Sequence, residues 1–195
     1  ASNNTAVGKD ALRVNTTGAG NTVVGKDAAI ANTTAANNTI VGFEAFGTNT
    51  TGHSNVAIGK ATMYGNTTGD ANTAAGYAAL SGNTTADNNT AFGAYALQVN
   101  TTGASNVAVG KHSMLANTTG TDNTAVGTAA LDANTTGSNN SAFGNGALST
   151  NTTASNNTAV GFYALLLTTT GVGNTAVGKG AGGALTTGVY NACLG

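Results

Sequence analysis

Nine segments of the chain read Asn-Thr-Thr, beginning at Asn15, Asn32, Asn49, Asn66, Asn83, Asn100, Asn117, Asn134 and Asn151. Each is an acceptor pattern for an N-linked sugar, in which an asparagine amide is modified when a hydroxyl stands two residues on. Further acceptors of the form Asn-Asn-Thr/Ser begin at Asn3, Asn37, Asn88, Asn139 and Asn156. In a bacterial or phage protein such matches are accidents of composition; in a secreted eukaryotic or archaeal protein they become a dense sugar coat, and the alternative expectation is a glycosylated extracellular filament or sheath subunit. Threonine pairs run from Thr16-Thr17 to Thr186-Thr187 in eleven places. Regular ranks of Thr suit an ice-binding face or O-linked sugars, whereas hydroxyls beside Asn and Gly in a turn more often bond the backbone.

Other reactive side chains are sparse. Asp10, Asp27 and Glu44 share one column of the repeat and could weakly attract a cation, but the column continues with Ala61 and Ala78 and no Gly-Gly-x-Gly-x-Asp calcium repeat is present. His53 and His112 lie in different columns more than three repeats apart, too far to share a metal or a triad. Lys9, Lys26, Lys60, Lys111 and Lys179 alternate with Phe43, Tyr77, Ala94, Thr128, Asn145 and Phe162, as on a solvated outer face. The single cysteine, Cys193, excludes an intrachain disulfide framework. It stands in a column of Ala, Val and Ile and reads as a small apolar residue. No Gly-x-Ser-x-Gly, paired-carboxylate or Cys-His arrangement appears. The expectation is a protein that is not an enzyme, with no cofactor and no metal.

The element that positions all of these is a repeat. Glycine returns every seventeen residues at Gly8, Gly25, Gly42, Gly59, Gly76, Gly93, Gly110, Gly127, Gly144, Gly161, Gly178 and Gly195. Four places before each stands an asparagine: Asn4, Asn21, Asn38, Asn55, Asn72, Asn89, Asn106, Asn123, Asn140, Asn157, Asn174 and Asn191. A constant period without insertions means one small unit stacked on copies of itself. The first half, typified by Thr5-Ala6-Val7-Gly8, has β-branched residues in a short run between turn formers and predicts a strand. The second half, typified by Ala11-Leu12 and closed by Asn15-Thr16-Thr17-Gly18, predicts a second short strand, with one helical turn as the alternative. The glycine after the threonines predicts positive φ. The fold expected is therefore all-β, a parallel β-solenoid of about eleven coils rising about 4.8 Å each. Both asparagine columns predict ladders in which each amide bonds the next.

Composition sets further limits. The chain of 195 residues has 6 Lys+Arg against 7 Asp+Glu, no Pro and no Trp. That charge is too small and too balanced for binding nucleic acid or an anionic membrane surface, and no apolar stretch is long enough to insert as a membrane helix. Neighbours such as Ala6 and Val7 are both apolar in almost every coil, whereas a monomeric solenoid strand should alternate apolar with polar. Both faces are thus expected to be covered, the outer one by another copy of the chain.

Asn55-Val56-Ala57-Ile58-Gly59 and Asn106-Val107-Ala108-Val109-Gly110 resemble the motif in the head repeats of trimeric autotransporter adhesins. The unit Asn123-Thr124-Ala125-Val126-Gly127, with Ala130-Leu131 and Asn134-Thr135-Thr136-Gly137, is closer to repeats of phage tail fibres and bacterial surface proteins. The resemblance covers residues 1–195 and implies a homotrimeric fibre, outside the cell, on its surface or on a virion. It implies an attachment role toward a receptor or glycan. The chain reads as a single β-solenoid repeat array that begins and ends in mid-repeat, as an excerpt from a longer protein would. Residues 165–195, where Thr168 and Leu185 replace Asn and Gly180, Gly182 and Gly183 crowd together, read as atypical terminal or transitional coils.

Overall fold

The run Thr-Ala-Val is too short to hold a strand by itself, so each copy must find its partner in the next coil. In the computed structural model, which describes all 195 residues, twelve such runs are strands, and each but the last pairs with the next. Strands β1 (Thr5–Val7) to β12 (Ala192–Leu194) occur once per repeat and form one parallel sheet in sequential order. Register follows the period: Ala91 pairs with Ala108 and Phe92 with Val109, seventeen residues on. The chain is a right-through β-solenoid with no helix.

The remainder of each coil corrects the expected second strand, and it is not a helical turn either. Ala45 and Phe46 are adjacent and both fully buried, an arrangement a strand forbids because it sends neighbours to opposite faces. The chain achieves it with consecutive turns in which Glu44 (φ 55°) and Phe46 (φ 56°) adopt the left-handed region. The same two columns are left-handed in nearly every coil, at Ala78 and Leu80, His112 and Met114, Tyr163 and Leu165. For residues with a Cβ this costs roughly 1–2 kcal/mol each. What holds them there is a backbone ladder that continues through the turns. Of 127 backbone hydrogen bonds, 105 lie outside the strands, among them Glu44 N–H to the Lys26 carbonyl (3.1 Å) and Phe46 N–H to the Thr62 carbonyl (2.9 Å).

Three apolar columns fill the interior: the middle strand residue (Ala91, Ala108), the Ala of the second half (Ala79, Ala96) and the bulky residue after it (Leu80, Leu97). In one coil Val23 enlarges the first column and Ala29 reduces the third, and in the next Ile40 and Phe46 enlarge both, so the large Phe46 stands beside the small Ala29. Toward the C-terminus Gly182 vacates the third column, and Leu185, standing where other coils have Asn, comes within 3.3 Å of the space a side chain would take. The repeat changes its chemistry there while the strands stay in register through β12.

The periodic glycine has two reasons. From Gly8 to Gly178 its φ lies between 129° and 146°, and a Cβ would run into the glycine backbone of the next coil. At Gly110 that atom would meet Gly127 C and O at 2.6 Å. The glycine after the threonines differs from expectation: Gly18 and its equivalents are not in positive φ, and what favours glycine there is space, since a Cβ at Gly18 would run into the Ala35 carbonyl; Ala35, Ala86 and Ala154 nevertheless stand in this column.

Candidate functional site

The two asparagine columns are the interior polar framework, and they work differently. In the first, Oδ1 accepts the backbone N–H of the next asparagine, as Asn38 does from Asn55 at 2.8 Å. Its Nδ2 crosses the same coil to the carbonyl after the threonine pair, as Asn38 does to Gly52 at 3.0 Å. The side chain therefore clamps a coil shut as well as joining it to its neighbour. In the second column the amides bond one another directly: Asn83 Nδ2 donates to Asn66 Oδ1 (2.7 Å) and to the Ala86 carbonyl (2.9 Å). That ladder runs from Asn15 to Asn151.

This geometry bears on the Asn-Thr-Thr segments as sugar acceptors. Asn32, Asn49, Asn66, Asn83, Asn100, Asn117, Asn134 and Asn151 are all buried, and Asn15 is half-buried at the first coil. Each buried amide nitrogen spends both protons on partners, and a sugar on it would remove a rung. The Asn-Asn-Thr/Ser acceptors stand elsewhere: Asn3, Asn37, Asn88, Asn139 and Asn156 are exposed on one corner with φ between 58° and 63°.

The threonine pairs also divide. The first of each pair donates its hydroxyl to the next coil, as Thr101 does to the Thr118 carbonyl at 3.0 Å. The second, Thr17 through Thr187, is exposed in every coil and makes no side-chain hydrogen bond.

Outside the sheet, the third strand residue forms an apolar line. Val7, Val24, Val41, Ile58, Phe92, Phe143, Val160 and Val177 are exposed, Ile58 and Phe92 at 44%. The sequence placed apolar residues on both strand faces; in one chain the inner Ala column is covered and this outer column is bare. Beside it Lys26 and Lys60 lie 5.2 and 5.6 Å from the Phe43 ring centre, and Lys60 lies 5.9 Å from that of Tyr77. Of five Phe and five Tyr only Phe46 is buried.

The ionisable residues serve the coils. Asp10 and Asp27 pair with the preceding lysines, Lys9 at 3.8 Å and Lys26 at 3.1 Å. His53 Nδ1 accepts the Ala36 N–H (3.0 Å), and His112 stacks 5.4 Å from Tyr95. No three metal-ligating side chains converge, and no cavity opens in the surface. Sequence reasoning missed Asp132, whose Oδ1 is out of water without a partner. Burial pushes that carboxyl above its usual value, and His112 nearby opposes the shift. Nothing in the repeat consensus marks it.

No protein-family model matches the chain, and no curated protein or solved structure matches it. The fold and its period define a parallel β-solenoid repeat protein.

Proposed function

We propose that the chain is the stiff rod of an extracellular attachment fibre, at a cell surface or on a virion, in which copies associate side by side as a homotrimer. The observation that carries this reading is the bare outer column from Val7 to Val177, flanked by exposed aromatics. Apolar surface of this continuity is uncommon on soluble monomers and is stabilised by burial, at about 25 cal/mol per Å² removed from water. The partner whose columns repeat at the same spacing is the chain itself. The rod acts mechanically: backbone and asparagine ladders resist bending, and many weak contacts to a receptor or glycan add through multivalency. No catalytic step is assigned to it. Replacing Ile58 and Phe92 together by Asp tests the reading. Both side chains point away from the core, so the variant keeps its β-sheet signal while its mass in solution falls to that of one chain. An unchanged mass sinks the proposal.

A second reading rests on the free second threonines. Eleven exposed hydroxyls in a straight lane, spaced about 4.8 Å, suit the ordered water of an ice surface. Thermal hysteresis in a freezing assay is its direct test, and its absence disposes of it.

A further inference from the structure

We propose that the corner carrying Asn37, Asn88, Asn139 and Asn156, with Asn3 at its start, is a line of N-linked glycan attachment sites. The proposal rests on the extracellular reading above and adds a modification to it. The sequence holds acceptors of two kinds with the same pattern, and the fold separates them in every coil after the first. The Asn-Thr-Thr amides are locked in the interior ladder, as Asn83 is by Asn66 and Ala86. The Asn-Asn-Thr/Ser amides are exposed and make no side-chain hydrogen bond, so their N–H groups are free to react.

Three further features meet at this corner. The backbone there is in the left-handed region, φ 60° at Asn37 and Asn88 and 63° at Asn156, a conformation asparagine tolerates better than most residues. It throws the amide outward while the next residue, Asn38 or Asn89, turns in to its ladder. The hydroxyl required two residues on belongs to the first strand residue, Thr39, Thr90, Ser141 or Thr158, all on the outer face of the sheet. The sugar donor by chemical class is a lipid-linked oligosaccharide diphosphate. The bond from its anomeric carbon to the phosphate oxygen breaks, a bond from that carbon to the asparagine nitrogen forms, and the amide proton passes to a base of the transferase. Free amide and hydroxyl are both present on the folded surface, so the finished rod bears the sugar without losing a rung.

The placement is compatible with self-association. The corner lies beyond the Thr column, at the N-terminal end of each strand, whereas the bare Val column stands at the C-terminal end. Asn139 and Asn156 stand in successive coils about 4.8 Å apart, so a glycan on one crowds the other.

Glycopeptide mass mapping of the protein purified from its native source tests this. The expected result is sugar at Asn37, at Asn88 and at one or both of Asn139 and Asn156, with the Asn-Thr-Thr peptides unmodified. Absence of sugar from those four residues, or sugar on Asn49 through Asn134, overturns it. The combined variant Asn37→Gln, Asn88→Gln, Asn139→Gln, Asn156→Gln is expected to lose the glycan mass and keep its melting temperature; a retained glycan mass also overturns the proposal. Light scattering on the same sample reads the number of chains separately, so a monomer defeats the fibre reading while the sugar map alone decides the attachment sites.

Discussion

Asn151 is the last rung of its ladder because Thr168 stands where the next asparagine would. The Oδ1 of Asn151 is buried without a hydrogen-bond partner, and the Thr168 hydroxyl donates instead to the Leu185 carbonyl at 3.0 Å. Every earlier oxygen from Asn15 to Asn134 receives the Nδ2 of the next asparagine. A buried acceptor left unmade costs about 1–3 kcal/mol.

Thr168→Asn should therefore stabilise the rod. The new amide would donate to Asn151 Oδ1 and repeat the geometry of the coils before it. The expected gain is about 1 kcal/mol after loss of the Thr168 hydroxyl bond, read as a higher melting temperature. A lower one would show that Leu185 forbids the extra rung.

Gly110→Ala should be among the most damaging single substitutions. Its φ of 131° alone costs about 1–3 kcal/mol for a residue with a Cβ, and the added carbon meets the Gly127 backbone at 2.6 Å. Denaturant unfolding should show the loss. A change under about 0.5 kcal/mol, the usual surface value, would contradict the stacking argument.

Ala129→Gly should have the opposite sign. Ala129 holds φ 53° in a column where Gly146 and Gly180 already stand. Releasing the left-handed strain should stabilise by about 1 kcal/mol, reduced by the greater freedom of glycine in the unfolded chain. Chemical denaturation of the pair of proteins checks the sign.

Asp132 should make stability depend on pH. Its folded-state pKa is raised by burial, so the native state holds its proton more tightly than the unfolded chain. The stability from the neutral carboxyl is complete below the unfolded value and is lost as pH rises through the folded one. Asp132→Asn should raise the melting temperature at pH 7 and make little difference below about pH 3.5. An equal effect at both pH values would rule out ionisation as the cause.

Much of this architecture is legible in the sequence. The period gives the coil, Thr-Ala-Val gives the strand, and the unvarying asparagines give the ladders. The second half of the coil is less so, because Phe46 and Leu97 in left-handed conformations carry no compositional mark; propensity would place neither there. The only hints are Gly146, Gly180 and Gly182, glycines in columns otherwise filled by side chains. The candidate acceptors show the same limit. Asn83 and Asn88 both head the pattern Asn-x-Thr, and burial alone separates them.

The central claim is that the bare apolar column is covered by further copies of the chain, and static light scattering of the purified protein across a dilution series tests it most directly. The account predicts a mass three times the 18.7 kDa of one chain, held on dilution. A single-chain mass at every concentration would contradict it.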